Sequence, residues 1–492
     1  MKNAALRLSA LLLAVCLIAG IPLAQAADGY KYNYTYTYDY WGDLRSSPDA
    51  YRPRAFFTST ELGLDKALSN PQGLFVRGND VYVVDTGNNR ILQLAMNGND
   101  LTLTRIIDSF QGDIAPTTFA SPRDVYVAED GTMYIADTKN NRILKLDRAL
   151  NLLGTFVEPV DPNFDPTQDY EPTKLVADVS GRVFTLAQNT NKGLIKYEAD
   201  GAFTGFIGAT PVTYTWYELI WRMLSTKEQR AKQASFVPTE YDNIAIDKDG
   251  FFYVVTNTLD TEQPVRRLNS LGTNILIENG NWDVEGDIQW AGGNTNLSRT
   301  GPSQFVDVTV LDNDIYVCLD ETHNRLFGYD SQGSLLWAFG GVGNAMGYFN
   351  KPVAIDHIGH DLIVLDSQAA ALTVLTPTRY GELIFEAIGH YDRGEYEQSA
   401  DTWLEVLRQN GNYDLAYVGI GRARLQSHDY KEACDYFRLA RDKDNYSEAF
   451  RYYRSEVVEK NIGWIFLLIA AAMIIPLAIG RIRRIIWEVE HS

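Results

Sequence analysis

The sequence predicts a mainly β chain: a six-bladed β-propeller, then an α-helical module, then one transmembrane helix. Three observations lead there. A unit of short apolar strands joined by polar turns recurs six times between Pro71 and Asp366. The pattern changes to helices from Tyr380. An uncharged apolar run extends from Ile462 to Gly480. A repeat of about fifty residues, with several strands in each copy, is the signature of a propeller or a related array.

The ends set the compartment. Lys2 and Arg7, the apolar stretch Leu8 to Leu23 and the small-residue site Ala24-Gln25-Ala26 read as a secretory signal over 1–26. At the other end, 462–480 is long enough to cross a bilayer at ~1.5 Å per residue. Arg481, Arg483 and Arg484 follow it, and basic residues stay in the cytoplasm. The expectation is a single-pass cell-membrane protein, with its bulk outside the cytoplasm and the tail 481–492 inside. The three cysteines, Cys16, Cys318 and Cys434, imply no disulfide scaffold. A net charge of −19 on 492 residues argues against a nucleic-acid partner.

After the signal comes a Tyr-rich segment, 27–53. Tyr30, Tyr32, Tyr34, Tyr36, Tyr38 and Tyr40 alternate with other residues and meet Trp41. A strand would set these rings on one face, either as an edge strand laid on the propeller or as an aromatic platform for sugar. The propeller is expected over 54–376. Its sixth copy is one strand short, so Ala55 to Thr60 is assigned to close the ring beside the last blade, which removes an exposed edge. A helical insertion is read at 212–238, from the spacing of Trp216, Leu219, Ile220, Met223 and Leu224.

The clearest copies carry the run Asp85-Thr86-Gly87-Asn88-Asn89-Arg90-Ile91 and its echo Asp137-Thr138-Lys139-Asn140-Asn141-Arg142-Ile143. On these residues, 70 to 375 resemble NHL repeats. Further on, Gly394-Glu395-Tyr396 and His428-Asp429-Tyr430 lie 34 residues apart, and at the same lag Trp403 matches Phe437. With Gly421, Ala433 and Ala440, this resembles tetratricopeptide repeats over 378–460. Repeats of that kind imply peptide binding or packing on proteins; a spacer or dimerisation role fits two copies equally.

Propellers that do chemistry place their ligands at the starts of the innermost strands. Those positions here hold Gln72, Arg123, Asp124, Lys174, Asp242, Asn243 and Asp307, with Val353-Ala354 in the last blade. The ring is charged and mixed in sign. It reads as salt bridges lining a wet channel or as a site for a polar ligand, with a divalent cation on Asp124, Asp242, Asn243 and Asp307 as the metal version. The fold is similar to that of gluconolactonase-type lactonases, whose metal set includes a Glu; Gln72 and Gly73 stand where that Glu belongs. No nucleophile elbow, phosphate loop or Cys/His spacing occurs, and no catalytic residue is assigned.

The reading is therefore a membrane-anchored, extracytoplasmic scaffold. It binds a protein partner or a polar ligand, carbohydrate among the candidates, in an envelope assembly. An envelope or membrane protein would dock on the propeller face, the 212–238 insertion or the helical repeats, and 462–480 would hold the bilayer. The alternative is a metal-dependent gluconolactonase-like hydrolase with a divalent cation as cofactor.

Overall fold

The computed structural model describes residues 35–160, 169–188, 190, 192–208, 241–256, 263–288 and 301–491. The signal segment 1–26, Tyr30, Tyr32, Tyr34 and the insertion 212–238 lie outside the described residues.

Six antiparallel sheets stand in a ring. Their innermost strands are Gly73–Arg77, Asp124–Val127, Pro172–Ala177, Asn243–Ile246, Phe305–Val310 and Pro352–Ile358. Each touches the next, and the last touches the first. The second strands, such as Asp80–Asp85, Met133–Asp137 and Tyr316–Asp320, are buried almost throughout. They are covered on both faces by neighbouring blades, so they read as continuous apolar runs rather than as alternations. Blades 1, 2 and 3 have four strands each, and blade 4 has three among the described residues.

The strand Tyr51–Thr58 completes the sixth sheet. It pairs with Ala371–Pro377 from Thr58 opposite Ala371 to Tyr51 opposite Pro377. The ring is thus closed from the N-terminal side, as the spare-strand argument requires.

The end of the Tyr-rich segment adds a hairpin, Tyr36–Tyr38 and Leu44–Ser46, to blade 5. Tyr36 lies opposite Ala338 on that blade's outer strand. Its hydroxyl donates to the buried Asp287 carboxylate, as does that of Tyr38 at 2.8 Å, and Arg325 Nη1 reaches the same group at 2.6 Å. Burying Asp287 would be costly alone, and three donors offset that cost.

The recurring Asp-to-Arg motif is a turn lock. In blade 2 the buried Asp137 carboxylate accepts from Ala120 N (2.7 Å), Asn140 Nδ2 (2.8 Å) and Arg142 Nε (2.8 Å). Blade 1 repeats this with Asp85, Ser69 N, Asn88 and Arg90. The following Asn89 and Asn141 both sit at φ 55°, a left-handed conformation that asparagine tolerates. Blade 5 changes the wiring. His323 replaces the first asparagine and bonds Asp320 at 2.9 Å, which leaves Arg325 to Asp287.

Five helices follow: α1 (Arg379–Asp392), α2 (Tyr396–Gln409), α3 (Asp414–Gln426), α4 (Tyr430–Leu439) and α5 (Lys443–Glu490). The last propeller strand runs straight into α1, whose N-cap Thr378 accepts from Gly381 N. Close helix packing rests on small residues. A Cβ on Gly419 would lie 2.4 Å from Trp403, and one on Gly421 would lie 2.6 Å from Phe437. The first helices share one hydrophobic core with blades 5 and 6, in which Tyr51, Trp337, Phe385, Trp403 and Tyr413 are buried together. Tyr413 also donates to Leu336 O of blade 5 at 2.9 Å.

Helix α5 is continuous over 48 residues, about 72 Å at 1.5 Å per residue. The sequence reading divided it between the helical repeats, 378–460, and a separate span, 462–480. Here the two are one element, and its apolar stretch is long enough to cross a membrane with none of it buried in the protein.

Candidate functional site

The channel begins with inner-strand residues that occupy equivalent positions in successive blades: Gly73, Asp124, Lys174, Asn243, Asp307 and Ala354. A side chain there points at the neighbouring blade as much as at the axis. Asp124 Oδ2 accepts from Leu175 N of blade 3 at 2.9 Å. Asp307 Oδ2 accepts from Ile355 N of blade 6 at 2.7 Å. Asn243 Nδ2 donates to Asp307 Oδ1 at 2.6 Å and to Val306 O at 3.2 Å. Between blades 6 and 1 the same link is made two residues further along, where Asp356 Oδ2 accepts from Val76 N at 2.7 Å. These side chains stitch neighbouring inner strands where no sheet hydrogen bond exists.

Gly73 shows why blade 1 has no such residue: a Cβ there would fall 2.6 Å from Arg123 O. Arg123 itself contributes its backbone, with its N–H bonded to Ala136 O at 3.1 Å. Gln72 reaches across the closure, with Nε2 2.8 Å from Asn70 Oδ1 and 3.3 Å from Ser367 Oγ. Asp242 is partly buried, and its N–H bonds Val255 O at 2.8 Å.

Lys174 is the cation of this ring. Its ammonium lies 4.0 Å from Asp124 Oδ1. Burial pushes the Asp124 carboxyl up, and Lys174 and the Leu175 amide oppose that rise. Burial likewise pushes Asp307 up to about 7, against the same lysine and the amides of Ile355 and Val308. Asp356 raises both further by like-charge repulsion.

Three of the four candidate metal ligands take part in these inter-blade links. Asp124 and Asp307 give oxygens to neighbouring amides, and Asn243 gives its amide to Asp307. Among the described residues, no three His, Cys, Asp or Glu side chains are grouped so as to hold a metal ion. The sequence reading missed Asp356 and His357, having placed Val353-Ala354 at the mouth. Thr309 Oγ1 lies 2.7 Å from His357 Nδ1 and 3.2 Å from Asp356 Oδ1. The signal was the lone polar pair in an otherwise apolar strand, two residues beyond the position chosen.

No protein-family model and no curated protein matches this chain. Among solved structures it is similar to a virginiamycin B lyase from Staphylococcus aureus, at 13% identity and a TM-score of 0.38, over 65% of this chain and 98% of that one. A streptogramin B lyase is 12% identical with a TM-score of 0.38, over 66% of this chain and 98% of that one. U3-55K is 10% identical with a TM-score of 0.41, over 66% of this chain and 100% of that one. At this distance the likenesses say nothing about activity.

Proposed function

We propose that the chain is a membrane-anchored scaffold that holds its propeller outside the cytoplasm and presents it to a protein partner or polar ligand of an envelope assembly. In this reading the blades are NHL repeats and α1 to α4 are tetratricopeptide pairs. The residues 1–26 are a removed signal, and 481–492 are the cytoplasmic tail. The channel residues Gln72, Arg123, Asp124, Lys174, Asp242, Asn243 and Asp307 hold the ring together and give its mouth a polar character.

One observation carries the proposal. The helix that packs on the head through the buried Ala449 is the same unbroken helix that contains the exposed apolar run. The twelve large apolar side chains exposed between Ile462 and Ile479 would be unfavourable in water, at about 25 cal/mol per Å², and a bilayer removes that penalty.

Membrane fractionation tests the anchoring. The full chain should stay with the membranes after an alkaline carbonate wash, and a chain ending at Lys460 should be released. Equal release of both would refute the anchor.

A further inference from the structure

A large cleft lies away from the channel, at the junction of blade 5, the Tyr-rich segment and the helices. Its volume is about 770 Å³, and an adjoining pocket adds about 560 Å³. The two share Tyr40, Arg441, Asp442 and Lys443. The walls come from Glu278–Asn281, the turn Asp330–Gln332, and α1, α2 and α3.

Two features of this lining stand out. The first is charge of both signs held without a direct side-chain partner, most of it facing solvent. Among the described residues Arg422, Arg441 and Lys443, and also Asp392 and Asp444, carry no side-chain hydrogen bond or ion pair, although all five line one cavity. Elsewhere on the head arginines find carboxylates, as Arg90, Arg142, Arg267 and Arg424 do. The second is a set of aromatic rings. Tyr391 and Trp403 line the cleft, and Trp41 stands 66% exposed at the adjoining pocket, with Tyr40 packed edge-on at 5.0 Å. The Arg441 guanidinium lies 5.9 Å from the Trp41 ring.

A net-charged ligand would satisfy one set of these groups and be repelled by the other. A neutral polyhydroxyl ligand avoids the conflict, because each hydroxyl both donates and accepts. Arginine, lysine and asparagine N–H groups can donate to it, carboxylates can accept from it, and its C–H faces can lie on indole or phenol rings. We propose that this cleft is a saccharide site, with Trp41 as stacking platform and Arg422 and Asp392 as the polar floor. The proposal rests on the reading above for its ligand class, and it moves the site from the channel to the propeller–helix junction. The first turn of α5 forms part of the wall, so an occupant would touch the helix that reaches the membrane.

The test uses the full chain in lipid nanodiscs, without glycoside detergents. The probes are maltotriose, cellotriose, xylotriose and triacetylchitotriose, read by saturation-transfer NMR and by tryptophan fluorescence. At least one should bind, and Trp41→Ala and Arg422→Ala should each weaken it about tenfold or more, in the range of a lost central contact. Trp41→Phe should restore part of that loss; Trp41 is exposed, so its removal spares the fold. Binding that survives both alanine variants and is lost in Lys174→Ala would place the ligand in the channel and overturn this inference. So would no binding of any probe, or short peptides binding the cleft in their place. None of these outcomes would alter the fractionation result, which tests the anchor separately.

Discussion

Asp137→Ala is the most demanding test of how the blades hold together. The substitution removes the acceptor of three donors, at 2.7 Å from Ala120 N and at 2.8 Å from both Asn140 Nδ2 and Arg142 Nε. Asp137 is fully buried, and the Arg142 side chain is only 8% exposed. The variant therefore strands a buried guanidinium. Breaking such a pair from one side costs about 3–5 kcal/mol. Spread over a propeller of roughly 300 residues, at ~2.1 cal/mol/K per residue, that is a fall in Tm of about 5–8 °C. Circular dichroism melting of the purified chain measures it. Replacing Arg142 with Met as well should recover more than half of the loss, since no charge is then left unpaired. Asp130→Ala, on an exposed turn, should stay within about 0.5 kcal/mol of wild type. A fall of less than a degree or two for Asp137→Ala, or a double variant as unstable as the single one, would refute the turn-lock account.

Further predictions concern closure, pH and helix packing. Deleting 54–60 should lower Tm far more than deleting the hairpin 35–46, because only the first opens the ring and bares a strand edge; melting the two variants side by side decides. Asp307 is pushed up to about 7 by burial. The folded state thus keeps a proton that the unfolded chain has released above about 3.9. That contribution to stability is complete below this value and is lost as pH rises through 7. Asp307→Asn should therefore gain on wild type between pH 5 and pH 8 in urea titrations, and a constant difference across that range would contradict the shift. Gly419→Ala, whose Cβ would meet Trp403 at 2.4 Å, should cost about 1–3 kcal/mol, read in the same titrations.

The fold was legible because its signals are local and repeated. The turn lock puts Asp, Asn, Asn and Arg at fixed spacing in two copies. The spare strand followed from counting strands, and the observed Tyr51–Thr58 overlaps the expected 55–60. The shared core with α1 to α3 was not legible. Tyr51, Trp337 and Trp403 lie far apart in sequence, and nothing in any one of them names its partners. Channel chemistry was half legible. Inner-strand starts were found, yet Asp124 and Asp307 turned out to serve neighbouring amides, a use that depends on how closely adjacent strands approach. The junction cleft was invisible for the same reason: its walls come from stretches of chain as distant as Tyr40, Asn281, Arg422 and Lys443.

Sidedness is the most direct test of the scaffold account. Cells stripped of their wall and treated with protease should lose the propeller and helical head while a tag placed after Ser492 stays intact. A protected head with a cleaved tag would reverse the topology and contradict the account.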